Sequence, residues 1–219
     1  GMICAEDELG LSDDHGGIMV LPEEIYQVGE PFAKYFNLTN DEVYEIGLTP
    51  NRTDAMSHYG VARDLHAFLS TNGLKSEFEK VSTALVSTEG EHGFELEVED
   101  GALCPRYIGA VIENVKIEES PEWLKDRLKA IGLSPINNVV DITNYILLET
   151  GQPLHAFDLN KIEGVIQVRY AKPNEKITLL NDNIVDLTSD MLIIADDDKP
   201  LALAGIMGGL DSGVTDGTI

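Results

Sequence analysis

The sequence predicts an α+β fold, a mixed-strand domain with packed helices preceded by a smaller α/β segment. Three observations lead there. Apolar residues in two stretches, around 54–73 and 120–151, recur at helical spacing. From residue 94 onward, short alternating or continuous apolar runs are separated by turn-forming residues, as strands are. No apolar run approaches the roughly 20 residues that a membrane-spanning helix needs.

Taken in order, residues 1–36 read as loop and short strand. Asp13-Asp14-His15-Gly16-Gly17 is a turn, and Ile18-Met19-Val20-Leu21 is an apolar run stopped by Pro22. Such a piece forms no domain alone; the alternatives are the tail of a larger domain or a short independent arm. In residues 37–75, Tyr44, Ile46 and Leu48 alternate with Val43, Glu45 and Gly47, which predicts a half-buried strand. Asp54 is placed to cap a following helix in which Val61, Leu65, Phe68 and Leu69 share a face, and Gly73 sits past its end. The intervening turn admits two readings. Asn51, Arg52 and Asp54 form a ligand site, or they form a capped turn in which Arg52 pairs with a carboxylate; the second is preferred.

Residues 76–93 lose periodicity and are assigned as a linker, so that residues 94–219 form the main domain. Phe94, Leu96 and Val98 alternate with three glutamates as a strand with one acidic face, and Tyr107–Ile117 supplies another. Ser120-Pro121-Glu122 opens a helix with Trp123, Leu124, Leu128 and Ile131 inward and Gly132 as its stop. A second helix carries Val139, Ile142 and Ile146 on one face with Val140, Thr143 and Leu147 beside them; Gly151 ends it and Pro153 bars continuation. Val165–Ala171 is a strand, Ile177–Leu180 and Ile184–Leu187 flank a hairpin at Asn181-Asp182-Asn183, and Met191–Ala195 and Leu201–Ala204 complete the set.

Composition narrows the function. The 219 residues, 43% hydrophobic, suffice for a sizeable core. The acidic start lacks the basic region of a secretory signal, so the expected compartment is the cytoplasm. Cys4 and Cys104 show no pairing or zinc spacing and are read as reduced thiols. A net charge of −24 repels a polyphosphate; residues 1–100 carry 5 Lys+Arg against 21 Asp+Glu, and residues 101–219 carry 10 against 18. Any contact with nucleic acid is therefore expected to be small and to fall on the second half.

The candidate site lies in residues 138–158. His155 follows Gly-Gln-Pro-Leu at a helix exit, where a stiffened loop can project a side chain, while Thr143 and Asn144 bring short polar groups from the helix. The small residues of Ala204-Gly205-Ile206-Met207-Gly208-Gly209 either let backbone approach a ligand or form a tight turn between packed strands. This segment is no phosphate loop, because the Lys-Ser/Thr pair is missing. Asp196-Asp197-Asp198 lacks the spacing of a calcium loop and is read as a solvated turn. His15, His58, His66 and His92 show no metal-ligand spacing. No metal site is assigned.

The run Asn138–Asp158 resembles the editing region of the beta chain of bacterial phenylalanyl-tRNA synthetases. Leu48–Leu65, Arg106-Tyr107 after Cys104-Pro105, and Ala202–Gly209 extend the resemblance over nearly the whole chain. It implies that residues 1–36 are the tail of an inserted OB-type tRNA-binding domain, that Gly1 is a cut and not the native start, and that residues 94–219 are an editing domain truncated at its end. In that family His155 and Asn144 match residues that orient the substrate or hydrolytic water, whereas Thr143, Ala204 and Gly205 match residues that bind the aminoacyl group. The implied activity is ATP- and magnesium-dependent charging of phenylalanine tRNA by two alpha and two beta chains, with hydrolysis of mischarged tyrosyl-tRNA by the beta chain. The implied partners are the tRNA acceptor end and the alpha chain, with neither membrane nor DNA, and no cofactor is held by this segment. An acidic pocket residue of the family falls beyond the segment matching Asp216-Gly217-Thr218, so the isolated chain is expected to be weak or inactive. The competing reading is a noncatalytic docking scaffold.

Overall fold

The most apolar strands of the sequence lie at the centre of one mixed sheet. The computed structural model describes residues 3–12, 14–24, 26–36, 41–79 and 95–219, and the chain divides into two units, Gly1–Tyr44 and Glu45–Ile219. In the second unit the strands are β1 (Leu96–Val98), β2 (Ile166–Tyr170), β3 (Lys176–Thr178), β4 (Ile184–Asp186), β5 (Leu192–Ala195), β6 (Pro200–Leu203) and β7 (Met207–Gly208). Five of them form a sheet in the order β1-β2-β5-β6-β7, and β3 and β4 form a separate hairpin. The β1–β2 pair is parallel and the other pairs are antiparallel. The mixed α+β class is as expected.

Alternation along the strands divides the core between two faces. Ile193 and Ala195 join Ala171, Ile177, Leu179 and Leu187 in one cluster; Ile166, Val168, Ile194, Leu201 and Ala202 form the other. The β3–β4 hairpin closes where Asp182 takes a φ of +62°, a conformation aspartate tolerates. Arg169 is buried among the strands, and its guanidinium donates to both Glu175 carboxylate oxygens at 2.7 and 3.0 Å. This pairing offsets the cost of burying the charge.

Among the described residues, three α-helices accompany the sheet: α1 (His58–Thr71), α2 (Glu122–Ala130) and α3 (Asn138–Thr150). α3 contacts both of the others. α1 is capped by Ser57, whose hydroxyl accepts from the Gly60 N–H at 3.0 Å, and not by Asp54 as the sequence suggested. Asp54 lies in a 3-10 turn and is held by Arg52 and Arg63. Arg52 also pairs with Asp64, so its expected pairing with a carboxylate holds, while the cap does not fall on this turn. The α1 face drawn from the sequence is largely exposed at Leu65 and Phe68. The buried side instead runs through Gly60, where an added Cβ would stand 2.7 Å from the Cα of Ala55. In α2, Leu124 and Leu128 are buried as expected, whereas Trp123 is exposed and lies edge-on to Tyr145 of α3.

Three predicted strands are absent. Residues 42–48 and 107–117 pair with no neighbour among the described residues, and Val43, Tyr44, Ile46, Ile108 and Ile112 are exposed. Alternation without an adjacent strand creates no ladder. In the first unit, Ile18–Leu21 is likewise irregular, although Met19 N–H donates to the Cys4 carbonyl at 3.0 Å. Tyr26, Phe32, Tyr35 and Phe36 pack there as an aromatic group. Most of the predicted linker, residues 80–93, lies outside the described residues, as do Asp13, His92 and Phe94. No helix among the described residues is long and apolar enough to cross a membrane.

Candidate functional site

The site grows from the end of α3. Gly151 adopts a φ of +80° and its N–H returns to the Leu147 carbonyl at 2.8 Å, which stops the helix. Residues 152–157 then run to Asp158, which caps a 3-10 turn at Leu159–Lys161. His155 projects from this stretch onto Gly208 of β7. A Cβ at Gly208 would stand 2.7 Å from Nε2 and closer still to Cε1, with Leu180 bordering the same spot. Glycine is required there for the ring to lie against the strand. Phe157 meets the imidazole edge-on at 4.5 Å between centroids.

His155 is exposed as a residue, yet these neighbours desolvate its ring and lower its pKa below that of an ordinary histidine. The imidazole is therefore neutral at pH 7, with one nitrogen donating and one accepting. Among the described residues, no protein group hydrogen-bonds it.

Thr143 and Asn144 lie on α3, half-buried. The Thr143 hydroxyl donates to the Val140 carbonyl at 2.7 Å, which leaves its oxygen able to accept. The Asn144 amide has no hydrogen-bond partner among the described residues. Neither residue bonds to His155. Ala204 and Gly205 form the tip of the β6–β7 hairpin, where Gly205 takes a φ of +72° and Ile206 N–H closes the turn on the Leu203 carbonyl at 3.0 Å. The tight-turn reading of this segment is thus correct as structure, and the same hairpin carries the glycine under His155. The structure joins His155 to this hairpin and keeps Thr143 and Asn144 on a separate element.

Two cavities lie elsewhere. One of about 470 Å3 is bordered by Glu97, Glu99, Gln167, Arg169 and Lys172; another of about 310 Å3 is bordered by His58, Arg127, Leu128, Tyr145 and Glu149. The 196–198 turn is not simply solvated. Asp196 is 1% exposed and accepts from the N–H groups of Glu163, Asp198 and Lys199 at 2.7–3.0 Å, so its carboxylate serves as a turn organiser.

Two buried acids near the site escaped the sequence reading. Asp141, fully buried on α3, accepts from Ser120 Oγ at 2.5 Å and from Ile136 N–H at 2.9 Å. Asp158, at the loop that follows His155, is 5% exposed. The available signal was a lone aspartate inside an apolar helix, a position that burial tolerates only with hydrogen-bond partners.

An α+β domain with an imidazole seated on a glycine hairpin, unbonded among the described residues, is what the fold and site define. The family model described as the B3/4 domain matches residues 103–219, and the chain belongs to that family. Along its length the chain is similar to the phenylalanine–tRNA ligase beta subunits of Fusobacterium nucleatum (44% identical, 100% of this chain and 27% of the relative) and Porphyromonas gingivalis (46%, with the same coverage). That of Salinibacter ruber is 48% identical over 98% of this chain and 26% of the relative. The chain thus spans about a quarter of the length of these relatives.

Proposed function

We propose that this chain is the part of a phenylalanine–tRNA ligase beta subunit that hydrolyses tyrosine wrongly esterified to phenylalanine tRNA. The need for such a step is physical. An apolar pocket rejects an added hydroxyl by only about a hundredfold, so tyrosine escapes a phenylalanine site often enough to require a second sieve. The observation that carries the reading is the His155 ring seated on Gly208 with no hydrogen-bond partner among the described residues, in a chain similar throughout to such subunits.

On this reading His155 and Asn144 orient the ester and the attacking water, and Thr143 accepts a hydrogen bond from the substrate. The Ala204-Gly205 tip borders the aminoacyl group. An aminoacyl ester is activated enough for positioned water and oriented dipoles to suffice, and a neutral imidazole supplies both a donor and an acceptor. The whole enzyme would charge tRNA with ATP and magnesium in a cytoplasmic assembly of two alpha and two beta chains. This segment binds no cofactor, meets the tRNA at its acceptor end, and engages neither membrane nor DNA. Residues 1–36 belong to the tail of an OB-type domain, 37–75 to a strand-helix segment, 76–93 to a linker and 94–219 to the editing domain.

The test is deacylation of tyrosine mischarged on phenylalanine tRNA, by this chain and by the intact enzyme, each with and without His155→Ala. The reading expects a slow reaction by the isolated chain and loss of deacylation in the enzyme carrying the substitution, with the fold unchanged by circular dichroism. A second reading, a noncatalytic docking scaffold, draws on the position of both cavities away from His155. Undiminished deacylation by the substituted enzyme would favour it.

A further inference from the structure

We propose that Asp158 is the positioning residue of His155, a buried carboxylate that clamps the histidine loop to the segment after β7. The proposal deepens the editing reading and rests on it for its functional arm. His155 makes no hydrogen bond of its own among the described residues, so its ring inherits its place from the backbone that follows. The segment that follows is fastened at three points, all to residues 212–218. Phe157 bridges Gly213 by way of the Asp158 N–H, which donates to the Ser212 carbonyl at 3.0 Å, Asp158 Oδ2 accepts from Thr218 Oγ1 at 2.7 Å, and Lys161 Nζ donates to the Gly213 carbonyl at 2.8 Å. Asp158 Oδ1 turns inward, taking Asn160 N–H at 3.0 Å and Asn160 Nδ2 at 3.2 Å.

The fastening closes a ring of contacts. Ser212, 1% exposed, donates its hydroxyl to the Leu201 carbonyl at 3.0 Å, which anchors the 212–218 segment to β6. The β6–β7 hairpin also carries Gly208, the seat of the imidazole. One hairpin therefore fixes both the floor under His155 and, through Ser212 and Asp158, the loop that delivers it. An acceptor-only carboxylate suits the position because three donors converge on its two oxygens. Asparagine can keep Asn160 on its carbonyl and donate its amide to Thr218 Oγ1, so it preserves most of the clamp. Alanine removes it.

The decisive readout is the His155 imidazole itself, followed by NMR titration of this chain and assigned by comparison with His155→Ala. Asp158→Ala should shift the ring resonances and raise the His155 pKa to that of an exposed histidine. Thr218→Val should move both part of the way, and Asp158→Asn should restore them nearly to wild type. Should Asp158→Ala fail to fold, Thr218→Val and Asp158→Asn carry the same comparison. An unmoved imidazole in folded Asp158→Ala, or in Thr218→Val where alanine does not fold, overturns the clamp.

In the intact enzyme, Asp158→Ala should lower deacylation roughly tenfold to a hundredfold, the scale of an ångström-sized misplacement. It should add nothing once His155 is alanine. Equal losses in both backgrounds would overturn the proposal by giving Asp158 a role independent of His155. If His155→Ala alone leaves deacylation unchanged, the editing reading fails, and the imidazole titration by itself decides the clamp.

Discussion

Removing the Asp141 carboxylate should loosen α3 from α2 by an amount that can be worked from its two hydrogen bonds. Asp141 is 0% exposed and Ser120 4% exposed, so Ser120 Oγ gains no free access to water when the acceptor is lost, whereas Ile136 is 68% exposed and its N–H can turn to solvent. One buried donor left unpaired puts Asp141→Ala at about 1–3 kcal/mol. Ser120→Ala removes one partner of a charged hydrogen bond and should cost about 1.5–3 kcal/mol. The double variant should fall short of the sum by a similar amount, because the shared bond is counted twice. The assay is urea unfolding followed by the fluorescence of Trp123, the sole tryptophan, which sits on α2 with its ring 5.6 Å from that of Tyr145 on α3. Additive losses within about 0.5 kcal/mol, or an Asp141→Ala cost below that figure, would refute the reasoning.

Glu175→Gln should destabilise the domain by about 3 kcal/mol, near the lower end for breaking a buried ion pair, since Arg169 loses its counter-charge while Glu175 keeps some exposure. Replacing both residues by methionine should recover most of that loss in the same urea titration. Stability should also fall in acid. The Arg169 hydrogen bonds hold the Glu175 carboxyl below the usual glutamate range, and at Asp158 the bonds from Thr218 and Asn160 outweigh the upward push of burial. Both groups are lowered on folding, so the unfolded chain binds more protons; their contribution is complete above about pH 5 and is lost as pH falls through the folded values. Denaturation midpoints between pH 7 and 3 would check this, and a midpoint independent of pH below 5 would contradict it.

Much of the fold was legible because it rests on local chemistry. Gly73, Gly132 and Gly151 each take positive φ just past a helix, and the Asn-Asp-Asn turn places Asp182 where the hairpin reverses. What escaped depends on partners distant in sequence. Alternation marks Tyr44–Leu48 and Tyr107–Ile117 as strand-like, but pairing needs a neighbour that alternation does not supply. Asp54 had the right chemistry to cap α1; Arg52 and Arg63 occupy its carboxylate, and the cap passes to Ser57. At the site, His155 and the 204–209 glycines were both visible as separate motifs, whereas their contact required the fold. The buried roles of Asp141 and Asp158 were hidden because an acidic residue reads as surface until its donors, Ser120 and Thr218, are brought to it from 21 and 60 residues away.

The charge pattern bears on how such a site would meet its substrate. Arg52, Arg63, Lys116, Lys125, Arg169 and Lys176 each stand beside a carboxylate, so much of the small positive complement is already neutralised at short range. A phosphate arriving at those side chains has to displace an existing partner while the net field of −24 opposes its approach. The hydrolytic chemistry proposed for His155 needs no such grip, because it concerns an ester at the end of the acceptor strand and a neutral imidazole that repels nothing. On the proposed reading, recognition of the polyanion and correction of its cargo are then separable tasks. Affinity of this chain for tRNA should accordingly be weak and should change little with salt, since few condensed counterions are released on contact.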